Sequence, residues 1–117
     1  MLNNGEFENV FIACGYTDLR FGIDGLALRL KDEFDINPFL DNTIFLFCGR
    51  KADRIKCLLW EGDGFLLLYK RLDKGKFNWP RSIDEVRKLS PIQFERLMSG
   101  FSIDPGISKI AAPKNVL

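Results

Sequence analysis

The residues best suited to chemistry in this 117-residue sequence are basic side chains grouped between positions 50 and 76. Lysine and arginine bind phosphate groups, and nucleic-acid bases stack on aromatic side chains. The candidates for contacting phosphates are Arg50, Lys51, Arg54, Lys56, Lys70, Arg71, Lys74 and Lys76. The aromatic residues interleaved with them are Trp60, Tyr69, Phe77 and Trp79. This pattern favours a surface that binds nucleic acid. Trp60, Tyr69 and Trp79 are candidate stacking groups, although core packing is the safer interpretation for at least two of the three.

The charge of the chain is segregated along the sequence, although the formal net charge is only +1. Residues 1–48 carry three basic and eight acidic groups, a balance of −5. Residues 49–81 carry nine basic and four acidic groups, a balance of +5. Such asymmetry indicates an anionic partner. A partner protein, or a solvated sheet face whose lysines discourage aggregation, remains an alternative reading of the same residues.

Catalytic patterns are scarce in the sequence. The chain has no histidine, so a Ser-His-Asp triad, a Cys-His dyad and an imidazole metal site are excluded. A Gly-rich phosphate loop is also missing. The acidic residues Asp18, Asp24 and Asp53 could be imagined to hold Mg²⁺ for phosphoryl chemistry, but Asp18 suits a loop and Asp24 the first turn of a helix. We therefore expect no catalytic residues, no metal and no cofactor.

The cysteine content and the hydrophobic pattern indicate a cytoplasmic protein. Cys14, Cys48 and Cys57 form no C-x-x-C pair, and each lies among strand-forming residues, so we expect buried free thiols. Apolar runs are too short to span a bilayer, and the acidic N-terminal segment does not resemble a signal peptide. We expect no membrane contact.

The hydrophobic periodicity predicts five strands and two helices. Strands are expected at residues 9–14, Thr43–Cys48, Arg54–Trp60, Phe65–Arg71 and, as a short edge strand, 77–79. Helices are expected at residues 22–34 and 91–99, the second with a capping box formed by Ser90 and Gln93. The segment E-G-D-G between two apolar runs is typical of a hairpin turn.

These elements predict an α+β fold. We expect an antiparallel sheet of about four or five strands, with a meander over residues 43–79, packed by two helices. Residues 1–101 should form one domain, and residues 102–117, which contain two prolines and little periodicity, an extended or flexible tail.

Two long segments resemble a known protein family. They are G-Y-T-D-L-R-F-G-I-D-G-L at residues 15–26 and F-C-G-R-K-A-D-R-I-K-C-L-L-W-E-G-D-G-F-L-L-L-Y-K-R-L-D-K-G-K-F-N-W-P at residues 47–80. The pattern is similar to the TnpB-type accessory proteins, encoded in a second reading frame of insertion-sequence transposons that have a separate DDE transposase. The resemblance covers roughly residues 9–100. Leu19 stands where such proteins often carry methionine.

The resemblance implies a non-catalytic accessory role in transposition, with the transposase as a partner that supplies the catalytic acids. Combined with the basic segment, it leads to the hypothesis of an accessory protein that binds DNA through a basic β-hairpin surface. The alternative is an adaptor that docks onto the transposase without contacting DNA. A metal-dependent phosphoryl-transfer enzyme is a third and weaker hypothesis.

Overall fold

The computed structural model describes residues 7–81 and 83–104. Its elements are, in chain order, β1 (Asn9–Ala13), α1 (Ile23–Phe34), β2 (Thr43–Cys48), β3 (Arg54–Trp60), β4 (Phe65–Arg71), β5 (Val86–Leu89) and α2 (Pro91–Met98). The strands form one five-stranded sheet in the order β4-β3-β2-β1-β5. Every neighbouring pair is antiparallel except β1 and β2, which run parallel. The predicted α+β fold and the β2-β3-β4 meander are confirmed.

The sheet has an apolar core on each face. On one face, called the α1 face, Leu26 and Leu30 of α1 pack in a cluster that includes Phe45 and Phe47. On the other, called the α2 face, Phe94 and Leu97 of α2 join a second cluster. All six residues of β2 are buried, because alternate side chains of the central strand enter the two cores. The sheet therefore has little room for charge except near its ends and edges.

The two helices begin and end within one residue of their predicted limits. The predicted capping box is present at α2: the Gln93 backbone N–H donates to the Ser90 hydroxyl at 3.1 Å, and the Ser90 N–H donates to the Gln93 side-chain oxygen at 2.9 Å. Gly100 follows α2 with a φ of 88°, a left-handed conformation that favours glycine. No helix in the described part of the chain is long and apolar enough to cross a membrane.

The short edge strand predicted at residues 77–79 is wrong. This segment is irregular, and Phe77 and Trp79 are buried in the core of the α2 face. Gly75, with a φ of 83°, turns the chain after β4, and the Phe77 N–H donates to the Ala52 carbonyl at 2.7 Å. Alternating aromatic residues gave a strand-like pattern, but here Phe77 and Trp79 enter the core between exposed residues without pairing to another strand.

The fifth strand is β5, which the sequence did not predict. It pairs antiparallel with β1, so that Lys88 lies opposite Phe11 and Leu89 opposite Val10. Its sequence V-R-K-L has too few apolar residues to stand out by periodicity. The outer position explains this composition, because an edge strand tolerates charge.

The chain remains packed just beyond the predicted end of the domain. Ile103 is buried in the core of the α2 face, and the Arg87 guanidinium bridges the Asp104 carboxylate at 2.8 Å. Residues 105–117, which hold the rest of the predicted tail, lie outside the described residues. The boundary at residue 101 stays a prediction.

The three cysteines are buried and free, as expected from the sequence. Burial raises the pKa of the Cys14 thiol to about 11 and that of the Cys57 thiol to about 12. Both thiols are therefore protonated at neutral pH, which makes them poor nucleophiles and poor metal ligands.

The buried indole of Trp79 provides a test of the core of the α2 face. Its Nε1–H donates to the Ala13 carbonyl at 2.9 Å. Trp79→Phe leaves that buried carbonyl without its partner, so we expect the free energy of unfolding to fall by about 1–3 kcal/mol. Urea unfolding measures this loss. The control is Trp60→Phe, the same change at a half-buried position, which should cost less; an equal cost at both positions would contradict the assigned role of the hydrogen bond.

Candidate nucleic-acid interface

The candidate site forms where the parallel strands β1 and β2 end. Parallel strands have their carboxyl ends at the same edge of a sheet, so the segments that follow them meet. Residues 14–21 follow β1, and residues 49–51 follow β2. The Thr17 N–H donates to the Cys48 carbonyl at 2.9 Å, which joins the two segments directly.

Arg81 holds these two segments together. Its guanidinium donates hydrogen bonds to the backbone carbonyls of Gly15 and Gly49. It also lies 4.2 Å from the ring centroid of Tyr16, a cation–π distance. Gly15 has a φ of 81°, and a Cβ at Gly49 would lie 3.2 Å from the Leu19 side chain. Glycine at both positions allows the approach that the arginine then fixes.

Arg29 of α1 anchors the segment that follows β1. Its side chain is only 9% exposed, and its guanidinium bonds to the hydroxyl of the buried Thr17. The same guanidinium forms ion pairs with Glu33, one turn along the helix, and with Asp84 at 3.2 Å. A buried cation is costly unless it is paired, and these contacts satisfy that requirement. The loop after β1 is thus anchored to α1 and to the chain before β5.

Asp18 and Arg20 form a compact ion pair on this loop. Asp18 Oδ1 accepts from the Arg20 backbone N–H at 3.0 Å, and the two side chains pair at 2.7 Å. The hydrogen bonds from Arg20 lower the pKa of the Asp18 carboxyl to about 2. The carboxylate is therefore charged at neutral pH, but an adjacent cation offsets its charge.

The β3–β4 hairpin supplies the other wall of the site from the α1 face. Arg54 is paired with the neighbouring Asp53 at 2.9 Å. The Lys56 ammonium donates to the Phe21 carbonyl at 2.9 Å and lies 5.9 Å from the centroid of the Tyr69 ring. The bond from Lys56 to the Phe21 carbonyl joins the hairpin to the loop that follows β1.

The two walls enclose an open groove of about 980 Å³. Basic side chains and apolar groups share its surface, and two tyrosines, each more than half exposed, lie at its sides. The lining residues are Tyr16, Thr17, Asp18, Leu19, Arg20, Gly49, Arg50, Lys51, Arg54, Lys56, Leu67 and Tyr69. Five of them are basic, and Asp18 is the one acid among them, so the groove attracts anions.

Four of the eight predicted phosphate-binding residues lie in this groove: Arg50, Lys51, Arg54 and Lys56. Arg71 is on the same face, directly opposite Arg54 in the register, but does not line the groove. Lys70 points to the α2 face, because neighbouring residues in a strand alternate sides. Lys74 and Lys76 are exposed on the segment after β4. The structure therefore brings four of the eight predicted residues together in the groove. That each of the eight contacts phosphate stays a prediction.

The predicted stacking residues are divided in the same way. Tyr69 is 55% exposed and lines the groove. Trp79, like the interleaved Phe77, is buried in the core and is inaccessible to a base. Trp60 lies at the other end of the hairpin, where its ring contacts Phe39 and Phe65 at centroid distances of 5.0 Å.

Sequence reasoning did not identify the residues that assemble the site. Tyr16 faces the groove, while Arg29 and Arg81 position its loops through contacts with segments distant in sequence. Such contacts leave no local pattern. The glycines after β1 and β2 were the available signal, because a close approach of two loops requires small residues.

The acidic residues considered for a metal site are not brought together. Within residues 7–81 and 83–104, no group of three or more cysteine, aspartate or glutamate side chains has an arrangement that could hold a metal ion. Asp18 and Asp53 are instead each paired with an arginine.

The Asp18–Arg20 pair leads to a prediction about pH. Because the folded-state pKa of Asp18 is lowered, its contribution to stability is present above pH 3.8 and is lost as the pH falls through about 2. Arg20→Ala should raise the pKa of Asp18 from about 2 towards 3.8, measured by NMR titration of the carboxyl carbon. Arg54→Ala, which frees a different aspartate, is the control and should leave it unchanged. A pKa near 3.8 in the unaltered protein would contradict the pairing.

Comparisons with known proteins connect this fold to transposable elements. The protein-family model described as "IS66 Orf2 like protein" matches residues 8–106. Two proteins of Sinorhizobium fredii (strain NBRC 101917 / NGR234) are similar over 100 residues: "Uncharacterized protein y4hO" is 41% identical and "Uncharacterized protein y4jC" 32% identical. The alignments cover 86% of this chain and 86% and 85% of the relatives, respectively. No solved structure gives a significant match. The chain belongs to the IS66 Orf2 family, the accessory proteins of IS66 insertion sequences.

Proposed function

We propose that this chain is a non-catalytic accessory protein of transposition that binds DNA through the basic groove between the loops after β1 and β2 and the β3–β4 hairpin. The observation that carries the proposal is the convergence of five basic side chains with two exposed tyrosines in one groove. The transposase of the element is the expected protein partner and would supply the catalytic carboxylates.

The charges of the groove support phosphate binding. Asp18 is already paired with Arg20, and Asp53 outside the groove is paired with Arg54. Arg50 and Lys51 are exposed and form no ion pair within the described residues. Lys56 is held in position by the Phe21 carbonyl. Three of the five groove cations can therefore neutralise phosphates without first breaking an ion pair inside the protein.

The tyrosines support contact with bases as well as with phosphates. Tyr16 is 51% exposed and Tyr69 is 55% exposed. Cations hold both rings in place, Arg81 and Arg50 at Tyr16 and Lys56 at Tyr69. Stacking of one base on such a ring contributes about 1–3 kcal/mol to the binding of single strands.

A protein-interaction adaptor is the second candidate function. It is favoured by an aromatic cluster at the end of the hairpin remote from the groove, where Phe39, Trp60 and Phe65 are in mutual contact. Phe39 is 51% exposed, and exposed aromatic groups are common anchors in protein interfaces. Capture of the transposase by the protein in the absence of DNA, with loss of capture in Phe39→Ala, supports this function.

The salt dependence of DNA binding tests the proposed function. If three phosphates are neutralised, log affinity should fall with log salt at a slope of about −3 for duplex DNA. Between 50 and 200 mM salt, this corresponds to a loss of roughly 40-fold in affinity. Removing two groove cations in Arg50→Ala/Lys51→Ala should reduce the slope by about 2. Fluorescence anisotropy with labelled duplex and single-stranded DNA measures both quantities.

The matched control is Lys31→Ala/Lys88→Ala, which removes the same charge at exposed positions in the last turn of α1 and on β5, away from the groove. Its slope should equal that of the unaltered protein. Equal slopes for both double variants would attribute binding to net charge and not to the groove. No binding to DNA at 50 mM salt by a protein that still captures the transposase would establish the adaptor function instead.

A further inference from the structure

The outer edge of β4 is built like an interface strand. Among the residues that the structure describes, β4 pairs only with β3, so half of its backbone N–H and C=O groups point away from the sheet. Its seven residues pair with β3 without a bulge. Natural edge strands are usually protected by proline, a bulge or a central charge. The run from Phe65 to Tyr69 contains none of these.

The sequence around β4 is complementary to itself when read in the opposite direction. The segment D-G-F-L-L-L-Y-K-R is centred on Leu67. In an antiparallel pair of two copies with the two-fold axis at Leu67, Leu66 lies opposite Leu68 of the second copy, and Phe65 lies opposite Tyr69. Every apolar residue of the strand thereby gains an apolar residue directly opposite it. Such pairs stabilise a sheet.

The charges at the two ends of the segment match in the same register. Asp63, in the turn just before β4, lies at the end of the pair where Arg71 of the other copy ends its strand, and this proximity occurs twice. Both residues are exposed, and neither forms an ion pair within residues 7–81 and 83–104. Arg71 also lies directly opposite Arg54 within its own sheet, a like-charge neighbour whose own partner is Asp53. An acid from a second copy would supply the missing countercharge.

The neighbouring symmetric registers fit less well. A pair centred on Leu68 would place Leu66 opposite Lys70 and Phe65 opposite Arg71. A pair centred on Leu66 would place Leu68 opposite Gly64. Registers centred between two residues place side chains of opposite faces against each other. Only the register centred on Leu67 satisfies both the apolar and the charged residues.

We propose that two copies of this chain associate through their β4 strands, antiparallel and centred on Leu67, to form a continuous ten-stranded sheet. The two-fold axis of such a pair is perpendicular to the sheet, so the α1 faces of both copies lie on the same side. The two basic grooves then open on the same side of the sheet. A role for this arrangement in binding DNA rests on the proposed function, whereas the dimer itself does not.

Charge reversal tests this dimer in the absence of DNA. Sedimentation equilibrium of the full chain should show a species of twice 13.5 kDa at high concentration. Asp63→Lys places like charge opposite Arg71, and Arg71→Glu places like charge opposite Asp63. Each variant should weaken self-association by about tenfold or more. An equimolar mixture of the two variants should recover the dimer, because each then supplies the charge that the other lacks.

The controls separate dissociation from unfolding. Thermal unfolding by circular dichroism should show that both variants keep the fold, since both positions are exposed. Leu66→Lys, at a side chain that is 37% exposed, introduces a charge opposite Leu68 and should also give monomers. The proposal is overturned if the unaltered protein is monomeric at every accessible concentration. It is equally overturned if the folded charge variants associate as tightly as the unaltered protein, or if mixing them restores nothing.

Discussion

The parallel pairing of β1 with β2 is the constraint on which the groove depends. It places the segments that leave both strands at one edge of the sheet, where Arg81 bonds to a backbone carbonyl of each. If these two strands were antiparallel, the segments would lie at opposite edges and could not together form one wall of the groove. The crossover that parallel pairing requires contains α1, whose Arg29 anchors the loop after β1. One topological feature thus sets this wall and its support.

The distribution of charge follows from the way the sheet is buried. Side chains of β2 are buried in the cores of both faces, and each fully buried large apolar side chain there contributes roughly 1.5–3 kcal/mol. Arg54 and Lys56 of β3 are on the α1 face near the loop after β1. The Arg54 guanidinium pairs with Asp53, and the Lys56 ammonium donates to the Phe21 carbonyl. The hairpin is apolar where α1 covers it and basic where the loop leaves it accessible. The same strand therefore serves the core and the groove.

The local features of the sequence predicted the fold well. The apolar run of β2, the hairpin turn at E-G-D-G and the capping box at Ser90 each carry their signal within a few residues. Strand direction carries no such signal, and parallel pairing of β1 and β2 was not foreseen. Two strand assignments also failed: a strand was predicted at residues 77–79, where none forms, and β5 was not predicted. An apolar alternation can line a core without pairing, whereas a strand as polar as V-R-K-L can pair at an edge.

The candidate site was predicted in part, for similar reasons. A count of basic residues located the segment but not the side of the sheet to which each residue points, so Lys70 was grouped with Arg71 although their side chains are on opposite faces. In the sequence, Arg81 is distinguished only as one of nine basic residues between positions 49 and 81. Its role is set by two carbonyls that lie 66 and 32 residues away in the chain. Long-range contacts of this kind require the fold.

Contact between the groove and DNA is tested most directly by an NMR titration of the ¹⁵N-labelled protein with a short DNA oligonucleotide. If DNA binds in the groove, backbone amide shifts should concentrate at residues 15–20 and 49–51, with smaller shifts at Arg54, Lys56 and Tyr69. Residues of α2, which packs on the opposite face of the sheet, should remain unperturbed. Shifts concentrated on α2, with the groove residues unchanged, would show that the groove is not the surface that contacts DNA.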